Sequence, residues 1–535
     1  MLVSICLALL ALLVSYIYWN DRAIHHVPKE VLGVSPHRWT PEEVKEAYKR
    51  QLSSPQDILP RLPPKTGRKY IVVGGAGFLG GWIIVHLIRR GEDPRNIRIL
   101  DIQRPTRRDL LTGPATQVEF MQVDISDRDA VFRAFRAPWP STEKTSLTSD
   151  EQDKEITVFH TAANIRFFER HIDFLPRSTR INRDGTQNVV DAARDIGVDT
   201  MIYTSSGATL VHSNRFLLWP WERRPKYFVQ AINDDDNLIP KVHSGFFSNY
   251  AASKAQGEKV VRSANMLPTG EAGKGKVLRT GSLRPGNGVF GPGGDMLCGA
   301  ALVRRNNPTW IPDIVHNFLY VENGSLAHLC FEAKLIHAAA SPSPSIPPQE
   351  DLSGRAYCIC DVGPPPTYGD VYRLLSTLTD NEVYFPLISP TLMLLVAHLV
   401  EAYHLLQSRV HLPRLLPPIK GDIINVQPSL FSLVQTHLIF DDSRARKELD
   451  YDPVWTTMEG LCKTVQEHEI EERLNEATGV GKTSSVNGRA DMAGFSIELC
   501  CKRKKKTKKG SRLARLDLPA LSEAVPEVQS IAVPR

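Results

Sequence analysis

The stretch Tyr70-Ile-Val-Val-Gly74-Gly75-Ala76-Gly77-Phe78-Leu79-Gly80 constrains the fold of this chain more than any other. Lys69–Val73 reads as a buried strand, and Phe78–Arg90 as an apolar helix stopped by Gly91. The glycines between them have distinct uses. Gly74 permits a tight turn, Gly77 lets the backbone approach a pyrophosphate, and Gly80 allows close packing of helix on strand. The helix start then offers its free N–H groups to the phosphates of a dinucleotide.

From that turn onward, strand and helix patterns alternate. Ile97–Leu100, Val118–Val123, Thr157–His160, Thr200–Thr204 and Val277–Leu283 read as further strands. Asp127–Arg136, Asn182–Ile196 and Tyr250–Ala264 read as helices between them. This alternation predicts an α/β fold on a doubly wound parallel sheet, with ligands at the carboxyl edge of the strands. The expected organisation is an apolar anchor at 1–19, a stalk at 20–67 and a dinucleotide-binding domain with catalytic residues at 68–290. A smaller C-terminal substrate lobe at 291–474 and a disordered basic tail at 475–535 complete it. The stalk carries several prolines and a polar helix candidate from Pro41 to Gln51. Ser141–Glu155 reads as a polar insertion and Ser341–Pro348 as a flexible one.

Leu2–Trp19 is an apolar run broken only by Ser4 and Ser15. Its helical length is about 27 Å, close to the thickness of a bilayer core. It ends in the aromatic belt Tyr16-Ile-Tyr-Trp19 and has no basic n-region, so it reads as an uncleaved transmembrane helix, not a signal peptide. Arg22 and Lys29 follow, which places the body in the cytosol. A second apolar stretch, Leu387–Leu406, is interrupted by Pro390, His398, Glu401 and His404. It reads as a core helix or as one lying on the membrane surface. The eight cysteines have no framework spacing, which points to a reducing compartment. Cys358 and Cys360 alternate as on one face of a strand. The net charge of +6 rests on the basic run Lys502–Lys509, which follows Cys500-Cys501. The body is near neutral without that run, so no nucleic-acid partner is expected; the tail reads as a solvated run or a second membrane contact.

Asp101 ends the second strand about 20 residues after the glycine turn, where an acid holds the ribose 2′-hydroxyl of NAD and repels a 2′-phosphate. Arg104, Arg107 and Arg108 follow it and leave NADP use open. Asp124-Ile125 ends the third strand and His160-Thr-Ala-Ala163 the fourth. Ala162 and Ala163 are small, as they must be if a cofactor passes over them. His160 reads as a packed core histidine, and no cluster has metal-site spacing. Tyr203-Thr-Ser-Ser206 ends the fifth strand, and Tyr250-Ala-Ala-Ser-Lys254 puts a phenol and an ammonium on one helix face. A free phenol has a pKa near 10 and is a poor base at neutral pH. Lys254 and a positively charged nicotinamide favour the phenolate, and a phenol pKa lowered by about 3 would represent roughly 4 kcal/mol of differential stabilisation. Ser206 can hold a substrate oxygen while Tyr250 takes its proton. A hydride carrier and a base together indicate an alcohol–carbonyl oxidoreductase.

These residues resemble those of the extended short-chain dehydrogenases, and among them the 3β-hydroxysteroid dehydrogenase family. The resemblance continues through Asn182–Val190, Leu283–Gly293, Asn317–Asn323 and Phe440–Leu449. It implies a Rossmann-type domain binding NAD through Gly74, Gly77, Phe78, Leu79, Gly80, Asp101, Asp124, Ile125, Ala162, Ala163, Tyr250, Lys254 and Pro285. It also implies a catalytic set of Ser206, Tyr250, Lys254 and Asn182, with Asn182 positioning the lysine and a proton-relay water. The implied reaction turns the 3β-hydroxyl of a sterol or steroid into a 3-ketone. Fungal-type sterol-4α-carboxylate 3-dehydrogenases, which the chain resembles within the family, also lose the 4α-carboxylate as carbon dioxide. The resemblance further implies residence in the endoplasmic reticulum membrane, facing the cytosol, near other sterol-modifying enzymes.

Two features depart from the family. Ser206 and Tyr250 stand 44 positions apart, an unusually long spacing, and the extra segment includes Phe216-Leu-Leu-Trp-Pro-Trp-Glu-Arg-Arg224. That segment is expected near the substrate mouth. The anchor and the basic tail are the second departure. Three rival readings remain: a 3β-hydroxysteroid dehydrogenase/isomerase, a nucleotide-sugar epimerase or reductase, and a non-catalytic NAD-binding membrane scaffold. The anchor argues against the sugar enzyme, and the intact Ser-Tyr-Lys set against the scaffold.

Overall fold

The computed structural model describes residues 1–140, 154–271, 276–340, 351–410, 417, 419 and 421–477. Most of the Ser141–Glu155 insertion, the Ser341–Pro348 insertion and the Cys500-Cys501 tail lie outside the described residues. The main strands in chain order are β1 (Lys69–Val73), β2 (Ile97–Asp101), β3 (Glu119–Gln122), β4 (Ile156–His160) and β5 (Thr200–Thr204). They continue with β6 (Val229–Ile232), β7 (Val277–Pro285), β8 (Ala356–Ile359) and β9 (His437–Phe440). One parallel sheet runs in the order β8-β7-β5-β4-β1-β2-β3, while β6 and β9 pair with each other. The main helices are α1 (Leu2–His25), α2 (Pro41–Ser53), α3 (Phe78–Arg89), α4 (Arg128–Arg136) and α5 (Thr186–Asp195). After them come α6 (Asn249–Ser263), α7 (Val321–Ala340), α8 (Tyr368–Leu378), α9 (Pro390–Arg409) and α10 (Thr457–Ala477).

β1 shows why the sheet needs cover on both faces. All five of its residues are buried, and successive side chains point to opposite sides. Tyr70 and Val72 share a core with Ile83, Ile84 and Leu87 of α3 and with Leu326 and Leu335 of α7. Ile71 and Val73 share another with Val131 of α4, Val189 and Val190 of α5 and Val261 of α6. The first core continues into Leu374 of α8, Met393 of α9 and Leu461 of α10, so sheet and C-terminal lobe are packed as one. Strand order reverses at β1, with β2 on one side and β4 on the other. The crevice at their carboxyl ends is the switch point where doubly wound folds bind ligands.

Several elements differ from the sequence-based expectation. β3 stops at Gln122, so Asp124 and Ile125 lie in the turn beyond it. β7 runs on to Pro285; the strand expected around Cys358 and Cys360 is present as β8, which pairs with β7 at the sheet edge and buries both thiols in one core. The helix expected from Asn182 begins instead with a π-helical turn, Arg180–Gly185, before α5.

The largest difference concerns residues 20–67, which form no stalk. Asn20, Ile24, Val31, Val44, Ala47 and Ile58 are buried. α2, closed by a Thr40–Glu43 capping box, packs on α8 and α10, and its Tyr48 hydroxyl donates to Glu469 at 3.1 Å. Prolines in this segment mark turns between short packed helices, not an extended linker. Asn20 also staples α1 to the Phe216–Arg224 insertion. Its Nδ2 donates to the Phe216 carbonyl at 3.0 Å and to Thr391 Oγ1 at 2.7 Å, and its Oδ1 accepts from Leu218 N at 3.1 Å.

Asn20→Ala would leave a buried carbonyl and a buried N–H unpartnered, at a cost of roughly 2–4 kcal/mol. The expected result is a lower urea midpoint and faster tryptic cleavage after Arg223. An unchanged midpoint would show that the staple does not hold the segment.

Candidate active site

The glycine turn is stitched to the end of β4. Gly74 takes φ +85°, and a Cβ there would lie 2.6 Å from Ala162 N. A Cβ on Gly80 would run into the Gly74 carbonyl and stand 2.8 Å from Thr161 Oγ1. Thr161 builds this wall, its hydroxyl donating to the carbonyls of Val73 at 3.0 Å and Gly74 at 3.2 Å. Gly77 N donates to the Gly74 carbonyl at 3.0 Å and begins α3 without a side-chain cap. The N–H groups of Phe78, Leu79 and Gly80 are then in the first turn, where an anion is favoured.

The Asp101 carboxylate, at the end of β2, accepts from Ala76 N and from Gln103 N, each at 3.1 Å. Of the arginines that follow, Arg107 is committed elsewhere. It donates to the Phe78 carbonyl at 3.1 Å, pairs with Asp109 and lies over the Trp82 ring. Arg104 lies over Phe120, and Arg108 is exposed. Asp124 Oδ1 accepts from Ser126 N at 2.9 Å, and the Ile125 carbonyl from Asn188 Nδ2 at 2.9 Å. Ala162 and Ala163 are half-buried beside the turn. A cradle that any Cβ would fill, an uncapped helix start and a carboxylate at the neighbouring strand end fit a dinucleotide.

One strand further on, α6 meets the end of β5. Ser248 Oγ accepts from Ala251 N at 3.2 Å and caps α6. Lys254 is 1% exposed. Its Nζ donates to the Thr204 carbonyl at 2.6 Å and stands 4.0 Å from the centre of the Tyr203 ring. Burial lowers its pKa to about 7, with Glu258 one turn along opposing the shift. Tyr250 is half-buried; burial raises its pKa, and a hydrogen bond with the Ser206 side chain works the other way. Ser206 Oγ also accepts from Ala208 N at 3.2 Å. Ser205 is buried instead and donates its N–H to the Leu283 carbonyl at 2.7 Å, so the strand end presents Ser206. The Pro285 carbonyl closes in beside Gly207, 2.8 Å from where a Cβ would stand.

Asn182 sits buried in the π-helical turn. Its Oδ1 accepts from Asn164 N at 2.7 Å, and its Nδ2 donates to the Asn164 carbonyl at 3.0 Å and to Ser253 Oγ at 2.9 Å. It thus ties the loop after β4 to α6 at the neighbour of Lys254. His160 is a core side chain, bonded to Thr186 Oγ1 at 3.0 Å and packed on Tyr203. Burial, then the nearby Lys254 charge, lowers its pKa to about 3, so it is neutral. Among the described residues, no group of three His, Cys, Asp or Glu could hold a metal ion.

Thr161, Tyr203, Thr204 and His328 also build this site, and no sequence motif assigns them that part. The Thr204 hydroxyl bonds His328 Nε2 at 2.7 Å, while its carbonyl receives Lys254. Three of the four lie inside the strand-end motifs, yet only the structure says which atom of each turns toward a helix.

A doubly wound sheet with Ser206, Tyr250 and Lys254 beside a dinucleotide cradle suits nicotinamide chemistry at a CH–OH group. The 3-beta hydroxysteroid dehydrogenase/isomerase family matches residues 71–139 and 142–384, and the chain belongs to it. It is 26% identical to the 3beta-hydroxysteroid-dehydrogenase/decarboxylase isoform 2 of Arabidopsis thaliana, over 80% of this chain and 67% of that protein. The 3 beta-hydroxysteroid dehydrogenase type 7 of Mus musculus is 25% identical, over 74% of this chain and 94% of that one. The decarboxylating sterol-4-alpha-carboxylate 3-dehydrogenase of Schizosaccharomyces pombe is 29% identical, over 48% and 63%. Among solved structures, UDP-glucose 4-epimerase of Thermotoga maritima is similar with a TM-score of 0.48 and 19% identity, over 76% of this chain and 99% of that one.

The depressed Lys254 pKa has a signed consequence. Between pH 7 and about 10.4 the unfolded chain binds more protons at this site than the folded one, so stability rises with pH across that window. Lys254→Met should therefore raise the thermal midpoint at pH 7 and flatten that rise. A lower midpoint would show that the ammonium stabilises the fold.

Proposed function

We propose that this chain is a membrane-anchored, NAD-dependent dehydrogenase of 3β-hydroxysterols that acts on sterol 4α-carboxylates with loss of carbon dioxide. The observation that carries this reading is Ser206 set against Tyr250, beside a desolvated Lys254 and one strand from the dinucleotide cradle. The substrate hydroxyl binds between Ser206 and Tyr250. Ser206 donates to its oxygen, and Tyr250 removes its proton. Lys254, one turn along α6, stabilises the phenolate with its charge. Asn182 acts through Ser253 to hold that turn of α6 in place. Bound NAD supplies the acceptor for the C3 hydride. Asp101 favours NAD over NADP because its carboxylate repels a 2′-phosphate, and Arg107 is already engaged by Asp109 and the Phe78 carbonyl.

With a 4α-carboxylate on the substrate, the new ketone makes it a β-keto acid. The C4–carboxyl bond breaks, its electron pair becomes the enolate, carbon dioxide leaves, and a proton then returns to C4. No further side chain is required for the cleavage. The relatives from Schizosaccharomyces pombe and Arabidopsis thaliana, whose names include decarboxylation, support this choice of substrate. The N-terminal helix, long and apolar enough to cross a membrane, supports anchoring. Residence in the endoplasmic reticulum membrane, with the catalytic domain facing the cytosol near other sterol-modifying enzymes, belongs to the same reading.

The test is NADH formation with a panel of 3β-hydroxysterols, with and without a 4α-carboxylate. Tyr250→Phe should lose more than about 100-fold in turnover while still binding NAD. Retention of roughly a tenth of turnover would remove Tyr250 as the base. Asp101→Ala should narrow the preference for NAD, and a wild type that already prefers NADP would refute the role given to Asp101.

A further inference from the structure

The insertion after Ser206 and the outer side of α9 present apolar side chains to solvent. Trp219 is 55% exposed and Trp221 75% exposed, with their rings stacked 5.4 Å apart. Arg223, Arg224 and Lys226, all exposed, follow them. On α9, Met393, Leu394, Ala397 and Val400 face the core. Leu392, Val396, Leu399 and Leu406 form an outward stripe at helical spacing, with Leu399 71% exposed. A helix apolar on both sides belongs with its outer side in an apolar medium.

We propose that Trp219, Trp221 and the outer stripe of α9 lie in the membrane interface and seat the substrate side of the body against the lipid. The proposal rests on the membrane-anchor reading and adds a fixed orientation to it. No spacer separates the apolar run of α1 from this surface. The Tyr16 hydroxyl donates to the Leu218 carbonyl at 2.9 Å, and Thr391 N donates to Asp21 Oδ1 at 2.9 Å, beside the Asn20 staple. Val14 and Tyr16 are only about 3 Å apart along the helix axis. A bilayer that holds Val14 therefore reaches Leu218, Trp219 and the start of α9. Paired indoles with cations behind them suit the headgroup region of a membrane carrying anionic lipid.

The same surface backs onto the catalytic base. Phe174 stacks on His404 of α9 at 4.6 Å, and Arg170 bonds Glu401 of α9 twice at 2.7 Å. That segment is bonded in turn to Asn249, whose N–H donates to the Glu169 carbonyl and whose Nδ2 donates to the His171 carbonyl, each at 2.8 Å. Asn249 directly precedes Tyr250. One wall thus faces lipid on its outer side and the base on its inner side, and a sterol leaving the bilayer need not cross water.

The test uses the full chain in vesicles of phosphatidylcholine and phosphatidylserine, with and without bromine atoms near the top of the acyl chains. Brominated lipid should quench wild-type emission more than that of the Trp219→Phe/Trp221→Phe variant, by the share of two of the chain's eight tryptophans. Leu399→Trp in that variant should restore quenching by lipid and resist aqueous iodide. Iodide quenching at these positions would overturn the proposal by placing them in water. Shielding from both quenchers would overturn it by placing protein, such as a second copy, on the surface. Failure to co-sediment with vesicles would instead refute the anchor itself, whereas co-sedimentation with iodide-accessible indoles refutes only the seating.

Discussion

Lys254 holds an ammonium out of water at the carboxyl edge of the sheet, and the surrounding structure is arranged to make that tolerable. Desolvation works against the charge, as its lowered pKa records. Two fixed groups offset part of the cost: the Thr204 carbonyl and the face of Tyr203, the latter a contact worth up to about 2 kcal/mol when desolvated. Each group is itself held. His160 packs on Tyr203 from β4, and His328 bonds the Thr204 hydroxyl from α7 on the other face of the sheet. α6 can come this close only because residue 257 is glycine, since a Cβ there would strike the Asn182 carbonyl and stand 2.6 Å from the Tyr203 hydroxyl. Both helical layers converge on one residue, and the Ser206–Tyr250 pair sits at its side.

The sheet was legible because buried parallel strands are short apolar runs, and β1, β4 and β5 stand out as such between glycines and polar turns. The glycine turn and Tyr250–Lys254 were legible because each needs particular residue types at fixed spacing. What escaped depends on contacts between segments far apart in the chain. Asn20 reads as a polar residue ending a membrane run, yet its partners are at 216, 218 and 391. Val31, Val44 and Ile58 are too sparse to show a period, so a packed segment resembled a linker. The π-helical turn at Arg180–Gly185 has no periodic signature, although it sets where Asn182 points. β8 lies beyond the main series of strands and joins the sheet next to β7, a pairing that alternation alone does not reveal.

The packing of residues 20–67 ties the N-terminal helix to the body that carries the site. A flexible stalk would let the body turn freely above a membrane. Here the end of α1 is hydrogen-bonded to the insertion after Ser206 and to the first turn of α9, so any orientation of that helix is an orientation of the site. The long Ser206–Tyr250 spacing thereby has a structural use: its extra residues hold the N-terminal helix against the body. Burial of a polar Asn20 serves this purpose where another leucine would not, because only hydrogen bonds fix the register of helix and loop.

In the proposed reaction, hydride passes from C3 of a 3β-hydroxysterol to a nicotinamide. The most direct measurement uses a sterol 4α-carboxylate carrying deuterium at C3, with the reduced dinucleotide and the released gas analysed by mass spectrometry. The expected result is deuterium in the reduced dinucleotide and carbon dioxide in equal amount, with neither formed by Lys254→Met. Carbon dioxide released without deuterium transfer, or no transfer from any C3-deuterated sterol by protein that binds NAD, would contradict it.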